Sequence, residues 1–345
     1  MTTDLNEWVN QIHQGDSFEL VEGLPDDSIN CVVTSPPYWG LRDYGTEDQM
    51  GLEDTLDEYV TNLVTLGDKL KRVLRDDGSW WLNIGDIFVR QDIESKERTI
   101  RRKSKALLPH RVAIALSEAG WIVRSDVVWD KTNPMPHSVS DRLNEEKEYL
   151  FQLVQEPEYW FDLDSIRESY SKSSIDRINS DAPILNRATE RYAGSTPISG
   201  GANYSRKVNP KGKNPGDVWE APVPNFSEGH FAVYPEKLIE RPIKSSCPPK
   251  ICSSCRTPHK RKEDGDGWQK DCDCDSDDFE PGIVLDPFMG SGTTAAVAKR
   301  LGRKFVGFEL NPDYVAIAQR RAGITVEEPE RLMEDDDMTT LTDFE

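Results

Sequence analysis

The chain is expected to fold as an α/β protein, with a mainly parallel sheet covered by helices on both faces. Three observations predict this. Short β-branched runs alternate with longer stretches whose apolar residues recur at helical spacing, the pattern of a parallel sheet. A glycine-rich turn at Asp286–Thr294 (DPFMGSGTT) joins one such run to one such stretch. Leu163–Gly229 loses periodicity and is rich in Ser, Asn, Pro, Gly and Arg, which marks a loop-rich insertion.

The elements follow in order. Asn30–Thr34 is apolar, β-branched and ends before Pro36, so it reads as a buried strand. Leu56–Leu74 carries Leu56, Val60, Leu63, Leu66, Leu70, Val73 and Leu74 on one helical face, and the Asp76–Gly78 turn is expected to end it. Ser79–Ile84 reads as a strand, Leu107–Ala119 as a helix stopped by Gly120, and Trp121–Trp129 and Glu148–Gln155 as strands. Regular structure is expected to resume at Phe231, followed by strand Ile283–Leu285, helix Thr293–Leu301, strand Phe305–Phe308 and helix Pro312–Arg321. No internal repeat is present.

Composition narrows the function. The 345 residues suit one large α/β domain with an insertion. No apolar run approaches the roughly 20 residues of a membrane helix. Met1–Asn10 lacks the apolar core of a signal peptide. Six cysteines are too few for a secreted disulfide scaffold, so a cytoplasmic protein is expected. The formal net charge is −20, which taken alone argues against a phosphate-bearing partner. The charge is uneven, however. Glu327–Glu345 holds nine acidic residues and one basic. Arg167–Lys213 holds nine basic and four acidic, and Lys96–Lys105 six basic and one acidic. The two basic islands are a candidate nucleic-acid footprint.

The turn at Asp286–Thr294 has strand–turn–helix–strand–acid geometry. Gly290 and Gly292 allow backbone to approach a ligand, the helix at Thr293 presents free N–H groups, and Glu309 ends the next strand where it can accept from a ribose diol. No Gly-Lys-Ser/Thr follows, and GxGxxG is absent, which disfavours a P-loop and a dinucleotide site. Asp286 at the strand end suits an amine-bearing ligand, and S-adenosylmethionine fits this chemistry.

The second motif, TSPPYWGLRDYG at Thr34–Gly45, directly follows a buried strand. Pro36 and Pro37 stiffen the turn and remove two donors. Their carbonyls and the Ser35 hydroxyl are candidate acceptors. Tyr38 and Trp39 offer faces on which a base could stack. An exocyclic amine is a poor nucleophile because its lone pair is delocalised into the ring. Two acceptors gripping its hydrogens favour a pyramidal nitrogen, and stacking holds an extruded base.

These two motifs together resemble the amino-group DNA methyltransferases of the permuted β type, over roughly Gln11–Arg321. The resemblance implies a Rossmann-like, S-adenosylmethionine-dependent methyltransferase fold with a mixed seven-stranded sheet, circularly permuted. It implies catalytic roles for Ser35, Pro36, Pro37 and Tyr38. Cofactor contacts are implied for Asp16, Phe231, Pro235, Leu238, Asp286, Pro287, Phe288, Gly290, Ser291, Gly292, Thr293, Glu309 and Asn311. Chain segments 1–162 and 230–325 then form the two halves of the catalytic domain, 163–229 the target-recognition insertion and 326–345 an acidic tail. DNA contacts are expected from Lys96, Arg98, Arg101, Arg102 and Lys103, and from Arg187, Arg191, Arg206 and Lys207.

Carbon-5 methylation needs a Cys nucleophile, usually after Pro, and no Cys here follows a Pro. Ser at the first position of the catalytic motif leans the family toward cytosine-N4, with adenine-N6 the alternative. No motif names the target; CTAG is carried as a trial site. Cys252, Cys255, Cys272 and Cys274 have the spacing of a zinc knuckle within 247–274, with Cys247 or His259 as substitute ligands. The reading is therefore a double-stranded DNA methyltransferase, a monomer or homodimer, with a cognate restriction endonuclease as a candidate partner. An RNA or protein methyltransferase and a non-catalytic zinc-ribbon regulator are the competing readings. The acidity, with 19 Lys against 23 Arg, fits the molar-salt cytoplasm of a halophilic archaeon, where long-range repulsion is screened.

Overall fold

The computed structural model describes residues 4–41, 45, 49–90, 100–179, 209–224, 233–262, 265 and 267–324. Twelve strands occur among them: β1 (Gln11–Gln14), β2 (Ile29–Thr34), β3 (Leu74–Ile84), β4 (Ile122–Lys131), β5 (Lys147–Val154), β6 (Val218–Ala221), β7 (Ile251–Cys252), β8 (Lys260–Arg261), β9 (Trp268–Gln269), β10 (Phe279–Glu280), β11 (Ile283–Asp286) and β12 (Lys304–Glu309). The helices are α1 (Ser17–Leu20), α2 (Leu56–Val73), α3 (Leu108–Glu118), α4 (Lys172–Asn179), α5 (Glu236–Ser246), α6 (Thr293–Arg300) and α7 (Pro312–Ala322). No helix among the described residues is long and apolar enough to cross a membrane.

Eight strands form one mixed sheet in the order β1-β12-β11-β2-β3-β5-β4-β6. From β1 to β3 every neighbouring pair is parallel, β5 runs antiparallel to both β3 and β4, and β6 is parallel to β4. The count exceeds the expected seven by the edge strand β6, which comes from the end of the insertion. Its short ladder pairs Val128 with Val218 and Lys131 with Ala221.

The sheet is sandwiched between two apolar layers, as an α/β architecture requires. One joins β2, β3, α2 and α3 through Leu63, Leu66, Leu70, Trp80 and Trp121; the other joins β11, β12, α5 and α6 through Ile239, Ile243, Val284, Val297 and Phe305. Helix α2 begins with a reciprocal capping box between Thr55 and Glu58, which satisfies two of the donors a helix start leaves open.

One expectation fails here. Asp76–Gly78 does not form a turn but lies inside β3. The register against β2 jumps between Ile29↔Leu74 and Cys31↔Ser79, so the turn-forming residues occupy an irregularity within the strand.

Candidate active site

Strand direction brings the site together. In β1, β12, β11, β2, β3 and β4 the carboxyl ends face one edge of the sheet, where ligands of open α/β folds bind. Because β5 is antiparallel, its first residues reach the same edge, opposite the end of β3: Ile84 pairs with Tyr149. A cavity of about 970 Å³ opens there.

Twelve of the residues expected from the sequence line it: Asp16, Ser35, Pro36, Pro37, Tyr38, Pro287, Phe288, Gly290, Ser291, Thr293, Glu309 and Asn311. Asp16 also caps α1, accepting from the backbone of Phe18 at 2.8 Å and of Glu19 at 3.2 Å. Glu309 accepts from the Gly290 N–H at 2.7 Å and the Asn311 N–H at 2.9 Å. Burial raises its pKa above the usual glutamate value. Gly292, the N-cap of α6, has φ +83°, and a Cβ there would lie 2.8 Å from the Ala318 Cα. Only glycine permits this close packing of α6 on α7. Gly292 therefore supports the loop from behind rather than lining the cavity.

Asp286 differs from expectation in the same way. It is completely buried and does not line the cavity. Its carboxylate accepts from Thr34 Oγ1 (2.6 Å), Phe288 N–H (3.1 Å), Tyr234 OH (2.9 Å) and Thr294 Oγ1 (2.5 Å). It thus ties the end of β11 to the end of β2 and to α6. Burial raises its pKa.

Leu238 lies in the core at 1% exposure, and Pro235 starts α5 without reaching the cavity; Val233 and Tyr234 line it instead. Phe231, Lys96, Arg98, Arg187, Arg191, Arg206 and Lys207 lie outside the described residues, as do 180–208 of the insertion and the tail from 325 onward.

The residues of the Ser35–Tyr38 loop meet partners that no motif signalled. Tyr38 OH donates to Glu148 Oε2 (2.8 Å), receives the Asn83 amide (2.8 Å), and lies 3.3 Å from Ser35 Oγ. Lys131 Nζ holds the other Glu148 oxygen at 2.6 Å. The Tyr38 hydroxyl is pushed well above its usual pKa, first by burial and then by the Glu148 charge, so it stays protonated. A Cβ on Gly85 would lie 2.7 Å from the Tyr38 ring, so the ring needs glycine at the end of β3. The Pro37 carbonyl already accepts from Tyr59 OH at 2.8 Å, which occupies one of its two lone pairs. Trp39 is not a stacking face: it is 2% exposed and donates its indole N–H to the Glu53 carbonyl at 2.9 Å.

Arg321 was also unforeseen. It donates to Ser291 Oγ (3.2 Å), Thr293 Oγ1 (2.8 Å) and Glu236 (2.8 Å), fixing the hydroxyls at the start of α6. Of the basic islands, Arg101, Arg102 and Lys103 are exposed, with Lys103 paired to Asp141. Arg167 and Lys211 are paired with Asp164, and Lys213 with Glu168.

The cavity and the proline-stiffened loop thus meet at the edge of the mixed sheet where the carboxyl ends of its parallel strands lie. The chain belongs to the DNA methylase family that unites N6- and N4-methylases, whose pattern matches residues 29–320. It is 33% identical to the Type II methyltransferase M.Cfr9I of Citrobacter freundii, over 90% of this chain and 86% of that protein. It is 32% identical to M.SmaI of Serratia marcescens, over 89% and 88%. Among solved structures it resembles the PvuII DNA methyltransferase (cytosine-N4-specific) with TM-score 0.56 and 19% identity, over 90% of this chain and 85% of that one. A putative DNA modification methylase from Thermus thermophilus, solved with S-adenosyl-L-methionine, gives TM-score 0.51 and 20% identity, over 91% and 93%.

Proposed function

We propose that this DNA methylase transfers a methyl group from S-adenosylmethionine to the N4 amine of a cytosine flipped out of duplex DNA. The observation that carries this reading is the single cavity lined by both Ser35–Tyr38 and the Pro287–Thr293 loop with Glu309. The donor set suits the methyl donor: a buried carboxylate at a strand end for ribose hydroxyls, the faces of Phe18 and Phe288 for adenine, and Asp16 at their margin. When bound, S-adenosylmethionine supplies an electrophilic sulfonium methyl: the amine nitrogen forms the new C–N bond as the C–S bond breaks.

The chain's own residues align and polarise the amine. Pro36 O and Ser35 Oγ are assigned as the acceptors for the two amine hydrogens, the Pro37 carbonyl being already engaged by Tyr59 on one lone pair. That grip localises the nitrogen lone pair. Tyr38, held by Glu148 and Asn83, packs against the base. Ser35 is a neutral acceptor and no strong base, so the proton released from nitrogen after transfer passes to water. The exposed Arg101, Arg102 and Lys103 are assigned as phosphate contacts in this reading. Similarity to Type II methyltransferases supports a cognate restriction endonuclease as partner, and this reading places the enzyme in the cytoplasm.

Mass spectrometry of nucleosides from DNA of a host expressing the chain tests the base. N4-methylcytosine is expected, and N6-methyladenine alone would overturn the assignment. Modification-aware sequencing of the same DNA reads the target, with CTAG as the trial site. Ser35→Ala should abolish transfer while cofactor binding persists.

A further inference from the structure

We propose that Cys252, Cys255, Cys272 and Cys274 hold one structural zinc ion, and that this metal fixes the base of the insertion between β5 and β6. The four Sγ atoms all lie within 4.8 Å of one another. A zinc ion at 2.3 Å from each sulfur of a tetrahedron needs sulfurs about 3.8 Å apart, so modest side-chain rotation closes the shell. The donor set is four thiols, with no imidazole or carboxylate in the cluster. Such a set selects a soft tetrahedral ion and leaves no open coordination position, which is the signature of a structural rather than a catalytic site.

The neighbouring alternatives drop out. Cys247 is buried in the core. His259 packs at a tilt beside Phe279, with ring centroids 6.1 Å apart, and is not part of the cluster.

The local fold calls for such a cross-link. The excursion after α5 consists of two ladders, β7–β10 and β8–β9, each of two residue pairs. Among the described residues from Lys250 to Glu280 only Ile251, Cys252, Pro258 and His259 are buried. Two-residue ladders without an apolar core do not hold themselves together in water. The turn between the first two cysteines is formed in advance. Arg256, at φ +60°, takes the left-handed conformation and closes the turn by donating its N–H to the Cys252 carbonyl at 2.9 Å.

The stretch between the two cysteine pairs grips the root of the insertion. Arg261 makes two bonds to the buried Asp162 carboxylate, at 2.6 and 2.7 Å. Trp268 stacks on Trp160, and the Trp160 indole donates to the His259 carbonyl at 3.3 Å. Two residues beyond Asp162, Asp164 pairs with Arg167 where the chain enters the insertion and with Lys211 where it returns, both at 2.6 Å. The metal would thereby hold Arg261 and Trp268 where they clamp Trp160–Asp164. This second half of the inference rests on the DNA reading of the insertion; the metal site does not.

The test begins with metal analysis of full-length protein purified without chelator. One zinc per chain is expected in wild type and in Cys247→Ala, with most of it lost in Cys255→Ser and Cys274→Ser. Cobalt-exchanged wild type should show thiolate charge-transfer and tetrahedral d–d absorption. No metal, or iron in place of zinc, would overturn the site. The second arm compares affinities for S-adenosylhomocysteine and for duplex DNA. The zinc-free variants, and wild type stripped by chelator, should keep the first and lose at least about tenfold in the second, or about 1.4 kcal/mol. Unchanged DNA affinity without zinc would overturn the coupling. One zinc per chain with no DNA binding even in wild type would overturn the DNA reading while upholding the metal site.

Discussion

Asp286 offers a direct test of whether the cofactor loop is bound by its acid or built by it. The structure makes it a builder: the side chain is completely buried and receives four hydrogen bonds, two on each oxygen. In Asp286→Asn one oxygen still serves Thr34 and Phe288, while the new amide faces the Tyr234 and Thr294 hydroxyls, which both donate to the carboxylate in the wild type. About two hydrogen bonds to a charged acceptor are lost, at about 1.5–3 kcal/mol each. Removing a buried charge offsets part of this, leaving a net loss of about 2–3 kcal/mol. Asp286→Ala strands the Phe288 N–H and the Thr34 hydroxyl and opens a cavity, for about 3–5 kcal/mol. At about 2–4 °C per kcal/mol for large domains, the alanine variant should melt about 6–20 °C lower. Calorimetric titration of the asparagine variant with S-adenosylhomocysteine should find affinity within about fivefold of wild type, under about 1 kcal/mol. The pH dependence has a definite sign. Burial raises the Asp286 pKa in the folded state, so its contribution is fully present below the ordinary Asp value. It is lost as pH rises through the raised one. The stability gap between wild type and Asp286→Asn should therefore be widest at acid pH and narrow upward. An unchanged melting temperature combined with a large loss of cofactor affinity would refute the builder role.

Other consequences follow from the same site. Glu309 has a raised pKa through burial and is expected to hold ribose as a carboxylate. Cofactor affinity should then fall as pH drops through that raised value, earlier than for an ordinary glutamate. Glu309→Gln should bind weakly and without this pH dependence, and a wild-type affinity flat from neutral to acid pH in calorimetry would contradict the role. Gly85→Ala puts a methyl 2.7 Å from the Tyr38 ring. It should cut the single-turnover methylation rate at least tenfold, about 1.4 kcal/mol of barrier, with cofactor affinity retained; an unaltered rate would show that Tyr38 placement does not matter. The acidic composition predicts methylation that persists in molar KCl, where the Debye length is about 3 Å. Activity that peaks at low salt and collapses toward molar KCl would rule this out.

What the sequence could and could not disclose follows from how each residue reaches the cavity. Ser35–Tyr38 and Pro287–Thr293 were legible because each motif sits in the loop just after a parallel strand, so local pattern and position at the sheet edge coincide. Trp39 was misread for the same reason it was noticed: it neighbours Tyr38 in sequence, but the loop turns it into the core, onto Glu53. Asp76–Gly78 carries turn chemistry that β3 absorbs as an irregularity, because the strand continues to pair on either side. Glu148 and Lys131 had no local signal at all. Lys131 ends a strand parallel to the catalytic ones, and Glu148 begins the one strand of the sheet that runs the other way. Only the topology places those two positions side by side, where they form the ion pair that holds the Tyr38 hydroxyl. In a mixed sheet of this kind, the residues opening an antiparallel strand belong to the site as much as those closing the parallel ones. A search restricted to loops after parallel strands will miss the groups that hold the Tyr38 hydroxyl.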